Sequence, residues 1–268
     1  MKVMGIKKDL SLFRVYLKNL SEYKMQLLSF ILIIPVTIIV TYLIWEILLR
    51  LNITNLEVIS KTDFLIYIVL ATIVGEVIRQ GRAFTIADDI MDGNLTSIIT
   101  RPVSIIKYYI YTDIPITLLK LIIGGICFIF VIIFLKFQLL GIIYLFLFLI
   151  SLFFGFLISI YFQLIIGFTS FWVYQNYGIH MLYFDALYPL LSGQMIPMVL
   201  LPDILQKIFF VLPFEHQVFT PVYILIGKFT IEKSLLSIGV QIIWVFLLYL
   251  FTTWMLKKGL KKFESQGG

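Results

Sequence analysis

The chain has 268 residues, of which 61% are hydrophobic and 13% charged, and its mean hydropathy is +1.03. Soluble domains carry about 25% charged residues, so the composition excludes a soluble globular protein and predicts an integral membrane protein. The net charge of +6 does not indicate nucleic-acid binding, because the basic residues cluster at the ends of apolar segments, where they suit anionic lipid headgroups. The single cysteine, Cys127, excludes an intrachain disulfide.

Six apolar segments predict an all-α polytopic membrane protein that forms a single domain over residues 1–268. The predicted transmembrane helices cover residues 26–49, 63–78, 114–135, 139–173, 181–201 and 236–255. Residues 1–24 are basic with interleaved apolar residues, which predicts an amphipathic helix lying on the membrane surface. A frayed basic tail is the alternative.

The run over residues 139–173 is too long for one perpendicular span and too short for two spans with a loop. It extends about 50 Å at helical rise. Both basic ends of the chain are expected to face the cytoplasm, which requires an even number of spans. The run is therefore predicted to be one long helix, tilted or kinked, and eased by Gly155 and Gly167.

The distribution of positive charge predicts the orientation of the chain. With the N-terminus inside, fourteen Lys and Arg residues lie on the cytoplasmic side and six on the outer side, which agrees with the positive-inside rule. Both termini and the loop over residues 79–107 are then expected to be cytoplasmic.

Residues 83–92 of this loop have the pattern of a short amphipathic helix. One face is apolar (Ala83, Ile86, Ala87, Ile90) and the other is polar (Thr85, Asp88, Asp89, Asp92). Gly93-Asn94 is typical of a helix C-terminus, and Pro102 suits the first turn of the next helix. The sequence predicts a short charged helix between two membrane spans.

The charged residues within or beside the spans are interpreted one by one. Glu76 and Arg79 have the spacing of a local ion pair on one helix. Lys120 lies roughly 9 Å inside its span, from where it either snorkels to the interface or contacts a substrate. Asp185 is the strongest candidate for a polar group facing a pathway, unless its span begins later and it lies near the inner surface.

Residues 202–233 are apolar but interrupted by proline and polar residues. The apolar pieces 204–212 and 222–226 are too short to cross a bilayer. We interpret the segment as short outer-leaflet helices joined by Pro213-Phe214-Glu215-His216.

Motifs of several catalytic classes are missing from the sequence. Gly227-Lys228 is followed by Phe229 and lacks the preceding glycine of a P-loop, so the chain is not expected to hydrolyse ATP. His180 and His216 are predicted on opposite sides of the membrane, which argues against a shared metal site. No GxSxG, HExxH or CxxC is present. No cofactor or metal is expected in this chain.

The combined pattern resembles the ABC-2 type permeases of bacterial ABC exporters. After the second span the resemblance rests on Asp92, Gly93, Asn94, Leu95, Arg101 and Pro102, and at the end of the fourth span on Phe171-Trp172. Nearer the C-terminus it rests on Ser192, Gly193, Ile196, Pro197, Leu201, Pro202, Leu212, Pro213, Phe214, Pro221 and Gly227. Glu215-His216 departs from the pattern, because small or apolar residues are expected there.

The resemblance implies a multi-pass subunit of the bacterial cytoplasmic membrane. It implies a second permease chain, identical or homologous, and a separate ATPase subunit that binds ATP and Mg. The helix between spans two and three would couple to that ATPase through Arg82, Phe84, Asp88, Asp89, Asp92, Gly93, Arg101 and Pro102. The polar residues of that helix could alternatively only solvate a loop. The pathway or its gate would involve Asp185, Gly193, Pro197, Pro213, Phe214 and Glu215.

Three functions are open at this point. The first is export of an amphipathic peptide, drug or lipid-like molecule, which suits an apolar pathway with few charges; import is the reverse possibility. The second is a membrane-embedded enzyme acting on lipids, which needs polar catalytic residues clustered at one depth. The third is a structural or immunity protein that binds a partner without translocation.

Overall fold

The structure, a computed structural model, describes residues 24–51, 60–79, 81–173 and 176–265. These ranges form helices and turns and contain no strand. The α-helices are α1 Lys24–Arg50, α2 Lys61–Ile78, α3 Arg82–Met91, α4 Leu95–Ile99, α5 Ile105–Phe134, α6 Ile142–Phe168, α7 Tyr177–Met181, α8 Tyr188–Leu191, α9 Asp203–Val211, α10 Glu215–Leu225 and α11 Ile231–Ser265. A π-helix, Leu182–Leu187, joins α7 to α8. The surface helix predicted before Lys24 lies outside the described residues.

Within the described ranges, four helices are long and apolar enough to cross a membrane: α1, α5, α6 and α11. The bent pair of α9 and α10 would make a fifth. These findings confirm the predicted all-helical, polytopic architecture. The second predicted span is the 18-residue α2, which carries Lys61, Asp63 and Glu76. Despite these charged residues, thirteen of the eighteen residues of α2 are buried. The core of the bundle therefore forms around α2.

The helices α2 and α5 run in opposite directions. The Lys120 amine on α5 reaches the carbonyl of Arg79, and a Cβ built on Gly124 would lie 2.8 Å from Val77. Residue numbers therefore increase along α5 in the direction in which they decrease along α2, so the two helices are antiparallel. The third predicted span began at residue 114, whereas α5 begins at Ile105 and continues through Pro115.

The helices α6 and α11 run in the same direction. The Gln241 amide donates to the carbonyl of Ser151 at 3.0 Å, and the rings of Tyr161 and Tyr249 lie 6.2 Å apart. Because two parallel helices end at the same side of the bundle, the chain between them has to return to the opposite side.

This return is broken, which corrects the single helix predicted over residues 181–201. Three contacts show that it runs antiparallel to α2: Asp185 to Arg79, Tyr188 to Gly75, and Tyr67 to Gly193. α8 ends at Leu191, and Gly193 has a φ of +80°. That left-handed conformation is readily available only to glycine and cannot continue a helix.

Two short helices before the last span are present as predicted, α9 and α10, and their axes meet at 108°. Glu215 and His216, which were predicted in the turn between them, instead form the start of α10. The carbonyls at the end of α9 are satisfied by side chains from other helices. Trp244 Nε1 donates to Val211 at 2.7 Å, and His216 Nε2 donates to Phe210 at 2.8 Å. Such bonds matter because the last carbonyls of a helix have no partner within the helix itself.

The run predicted as one span over residues 139–173 is indeed one uninterrupted helix, α6, followed by a 3₁₀ turn over Thr169–Phe171. Its glycines are points of close packing against other helices, and their predicted role in a tilt or kink stays a prediction. A Cβ on Gly155 would lie 2.9 Å from the carbonyl oxygen of Gln217 in α10. A Cβ on Gly167 would lie 2.6 Å from Ile86 in α3.

Candidate functional site

The predicted charged helix after the second span exists as α3, and its buried face is the one predicted. Its buried residues are Ala83, Ile86, Ala87 and Ile90. Gly93 follows the helix with a φ of +76°, which is the left-handed conformation that ends many helices. The local pattern in the sequence was sufficient to define this helix.

The first residue of α3, Arg82, is anchored to two long helices. Its backbone N–H donates to Gln163 Oε1 on α6 at 2.9 Å, which satisfies one of the free donors of a helix N-terminus. Its guanidinium pairs with the Asp113 carboxylate and donates to the Thr112 carbonyl at 2.7 Å, both on α5. The side chains of Arg82 and Asp113 are 16% and 4% exposed. Arg82, predicted to couple to an ATPase, therefore points into the bundle.

The apolar face of α3 packs directly on α6. Because Gly167 lacks a side chain, Ile86 occupies the space that a Cβ there would fill. Ile86 itself is fully buried. A methyl group at residue 167 would force the two helices apart, so Gly167 sets the distance between α3 and α6.

The polar face of α3 is partly engaged as well. Tyr109 donates to Asp89 and Tyr177 donates to Asp88, each at 3.0 Å. Burial raises the pKa of the Asp89 carboxyl above its ordinary value, while the bond from Tyr109 acts in the opposite direction. The two carboxylates that the sequence assigned to an ATPase contact thus hold α3 to α5 and α7.

An aromatic contact joins α3 to α7. The ring of Phe84 lies 3.5 Å from the ring of His180 and 5.3 Å from that of Tyr177, measured between centroids. His180 is buried, and its Nε2 has no hydrogen-bond partner among the described residues. Burial lowers the pKa of His180 from 6.5 to about 4, so the ring is neutral at pH 7.

The junction between α2 and α3 holds a cluster of charges. Arg79 is the C-cap of α2 and has an extended backbone conformation. Its guanidinium forms an ion pair with Asp185 at 2.7 Å, and not with Glu76 as predicted. The Lys120 amine donates to the Arg79 carbonyl. Through this bond Lys120, which is 7% exposed, caps the C-terminus of α2, where a cation is favourable. This contact was not among the interpretations drawn from the sequence.

The outer surface of this region comprises the remaining polar positions of α3 and the turn after it. Thr85, Asp92, Arg101 and Pro102 are exposed. Pro102 precedes α5 by three residues, so its predicted place in the first turn of that helix was wrong. Ser104 is the N-cap, and its hydroxyl accepts a bond from the Lys107 N–H. Ile99, 43% exposed beside this turn, was not singled out from the sequence.

The residues predicted to form a pathway or gate do not form one cluster. Asp185 lies beside Arg79 at the α3 end of the bundle, which is the alternative location considered for it, and its side chain is 60% exposed.

The other residues predicted for the pathway lie elsewhere in the bundle. The carbonyl of Gly193 accepts a bond from Tyr67 at 2.6 Å. Pro197 precedes a 3₁₀ turn, Pro213 is buried, and the Phe214 ring lies 5.1 Å from that of Phe162. Glu215 is buried and faces a cavity at the opposite end of the bundle from Asp185.

Sequence reasoning did not identify Gln163, Asp113 and Tyr109 as the anchors of α3. Gln163 stands alone among apolar residues of α6, and this isolation could have marked it, since a lone polar side chain in such a helix needs a partner. In the described part of the chain, no group of three or more His, Cys, Asp or Glu side chains is placed to hold a metal ion.

Long apolar helices packed with a buried α2, and an amphipathic helix held against them, are the architecture of a polytopic membrane protein. The chain belongs to the ABC-2 transporter family: the family model described as ABC-2 family transporter protein matches residues 35–267. No curated protein matches the chain. The family assignment makes the chain a membrane-embedded transporter component.

Proposed function

We propose that the chain is the transmembrane subunit of an ATP-driven exporter of amphipathic molecules. ATP and Mg bind to a separate ATPase subunit, which docks on α3 and on the turn that carries Arg101 and Pro102. A second permease chain, identical or homologous, completes the pathway in the bacterial cytoplasmic membrane. The N- and C-termini and α3 face the cytoplasm.

The observation that carries this proposal is the way α3 is held. A docking helix transmits force only if it is fixed to the membrane helices while one face stays free. Arg82 ties the start of α3 to α5 and α6, Gly167 allows it to pack closely on α6, and Asp89 ties its polar side to α5. Thr85 and Asp92 remain exposed. α3 is therefore fixed to the membrane helices on one side and exposed on the other, as a docking helix has to be.

The test of docking has to spare the internal bonds. Reversing the charge of Asp88 or Asp89 would break hydrogen bonds to Tyr177 and Tyr109, so loss of the ATPase would then report a damaged fold. Asp92→Lys changes an exposed residue just after α3. Asp203→Lys is the control, because Asp203 is also an exposed carboxylate and lies on α9, away from α3.

The experiment is recovery of the tagged chain from its native membrane in mild detergent, with mass spectrometry of the proteins that accompany it. We expect a P-loop ATPase with the wild-type chain and the Asp203→Lys variant, and much less of it with Asp92→Lys. An ATPase retained equally by both variants would move the docking surface away from Asp92. Recovery of no ATPase with a folded wild-type chain would overturn the transporter proposal and favour the enzyme or immunity alternatives.

A further inference from the structure

A cavity of about 690 Å³ opens between α9, α10 and the start of α11. One wall is a stripe along α10 at a spacing of four residues, Glu215, Phe219 and Tyr223. Phe210 of α9 and Phe229, which precedes α11, line the other sides. The combination of aromatic walls with a few charged groups is typical of a site for an amphipathic small molecule.

Glu215 is the deepest charged group of this cavity. The residue after it, His216, accepts a bond through its carbonyl from Gln241 at 2.7 Å. Gln241 lies about 15 Å along α11 from Ile231 at helical rise, so Glu215 is well inside the bundle. It is 2% exposed and lines the cavity. Among the described residues it has no ion pair within 4.0 Å and no side-chain hydrogen bond. An isolated buried carboxylate is costly unless a counter-charge reaches it.

The lysines of the cavity do not supply this counter-charge directly. Lys207, Lys228 and Lys233 are all exposed at the mouth, where water and salt screen their charges. Lys228 is paired with Asp63 at 2.5 Å. Lys233 acts on Glu215 only through space. Glu215 is therefore the acidic group at the floor of the cavity, and a cation bound beside it would favour its ionised form.

The aromatic wall is suited to a cation. Phe219 and Tyr223 stack with their centroids 4.2 Å apart, and Phe229 lies 5.3 Å from Tyr223. The amine of Lys233 already sits 4.4 Å from the centroid of Phe229, which is a cation–π distance. Aromatic faces together with a carboxylate recognise ammonium-type groups through the ring quadrupole and the opposite charge.

We propose that this cavity binds the cationic head of an amphipathic molecule, with Glu215 as its counter-ion and Phe219, Tyr223 and Phe229 as the wall against its apolar part. Such a head is carried by lipids with an ammonium headgroup and by lipophilic cations that are not lipids. The binding site goes beyond the transporter role, and its test requires no ATPase.

The test measures binding to the purified full-length chain in phosphatidylglycerol nanodiscs, after subtraction of the binding to empty nanodiscs of the same lipid, because the anionic lipid itself attracts cations. The probes are tetraphenylphosphonium and tetraphenylborate, which have the same shape and opposite charge. We expect saturable binding of the cation and at least about tenfold weaker binding of the anion. Glu215→Gln should weaken cation binding by about tenfold or more. Glu232→Gln is the matched control, since Glu232 lines the same cavity but is exposed, and it should leave the affinity within about twofold.

Equal binding of the two probes, or unchanged cation binding by Glu215→Gln, would overturn the proposal. If Glu215→Gln does not fold, as judged by gel filtration, the preference of the wild-type chain for the cation decides the question alone. Competition by lysophosphatidylethanolamine then distinguishes the two sources. Displacement of the probe supports a lipid headgroup, and its retention supports a cation that is not a lipid.

Discussion

The ion pair between Arg82 and Asp113 is expected to contribute most of the energy that fixes α3 to α5. The two side chains are 16% and 4% exposed, and removing one partner of a buried pair leaves an uncompensated charge, which costs about 3–5 kcal/mol. Replacing both by apolar residues removes that penalty. We therefore expect Arg82→Met and Asp113→Leu each to destabilise the fold by about 3 kcal/mol, and the double variant by about 2 kcal/mol less than their sum.

The assay is reversible unfolding in mixed micelles of dodecyl maltoside and dodecyl sulfate, followed by the fluorescence of the four tryptophans. The matched control is the pair between Lys228 and Asp63, whose side chains are 42% and 39% exposed. Its double-mutant cycle should give a coupling below about 1 kcal/mol. If the effects of Arg82→Met and Asp113→Leu add to within about 0.5 kcal/mol, the ion pair does not fix α3 to α5. The proposal that α3 transmits force to the membrane helices through this pair would then be wrong.

Three further predictions follow from the packing around α3. Gly167→Val should destabilise the fold by about 1–3 kcal/mol because its side chain meets Ile86, and Ile86→Ala should restore part of the loss. Lys120→Met should cost about 1–3 kcal/mol, since the carbonyl of Arg79 loses its donor inside the bundle. Because burial lowers the pKa of His180 to about 4, the unfolded state binds a proton below about pH 6.5 that the folded state does not bind. Stability should therefore be highest above pH 6.5 and fall as the pH falls towards 4.

Each of these predictions has a control in the same chain. Gly125→Val adds the same side chain to α5 where nothing lies within 4 Å, so it should be nearly neutral. Lys207→Met removes an exposed lysine and should cost little. His180→Gln should flatten the acid dependence between pH 6.5 and 4, and an unchanged slope would show that another group titrates there. All three comparisons use the same unfolding assay.

The sequence by itself determined the class of protein, the long apolar helices and the amphipathic face of α3. These features follow from local repetition, because helix geometry places residues three and four apart on one side. Ala83 and Ile86 were therefore assigned correctly to the buried face without any knowledge of their partners.

Only the tertiary structure decided which polar side chains are free. Asp88 and Asp89 look like exposed acids in the sequence, but their partners Tyr177 and Tyr109 stand 89 and 20 positions away. No local pattern specifies such pairs, since they depend on which helices become neighbours. The same holds for Glu215, whose place at the floor of a cavity results from the 108° turn between α9 and α10. Periodicity fixes which side of a helix is apolar, whereas the packing of helices distant in sequence decides what each polar side chain contacts.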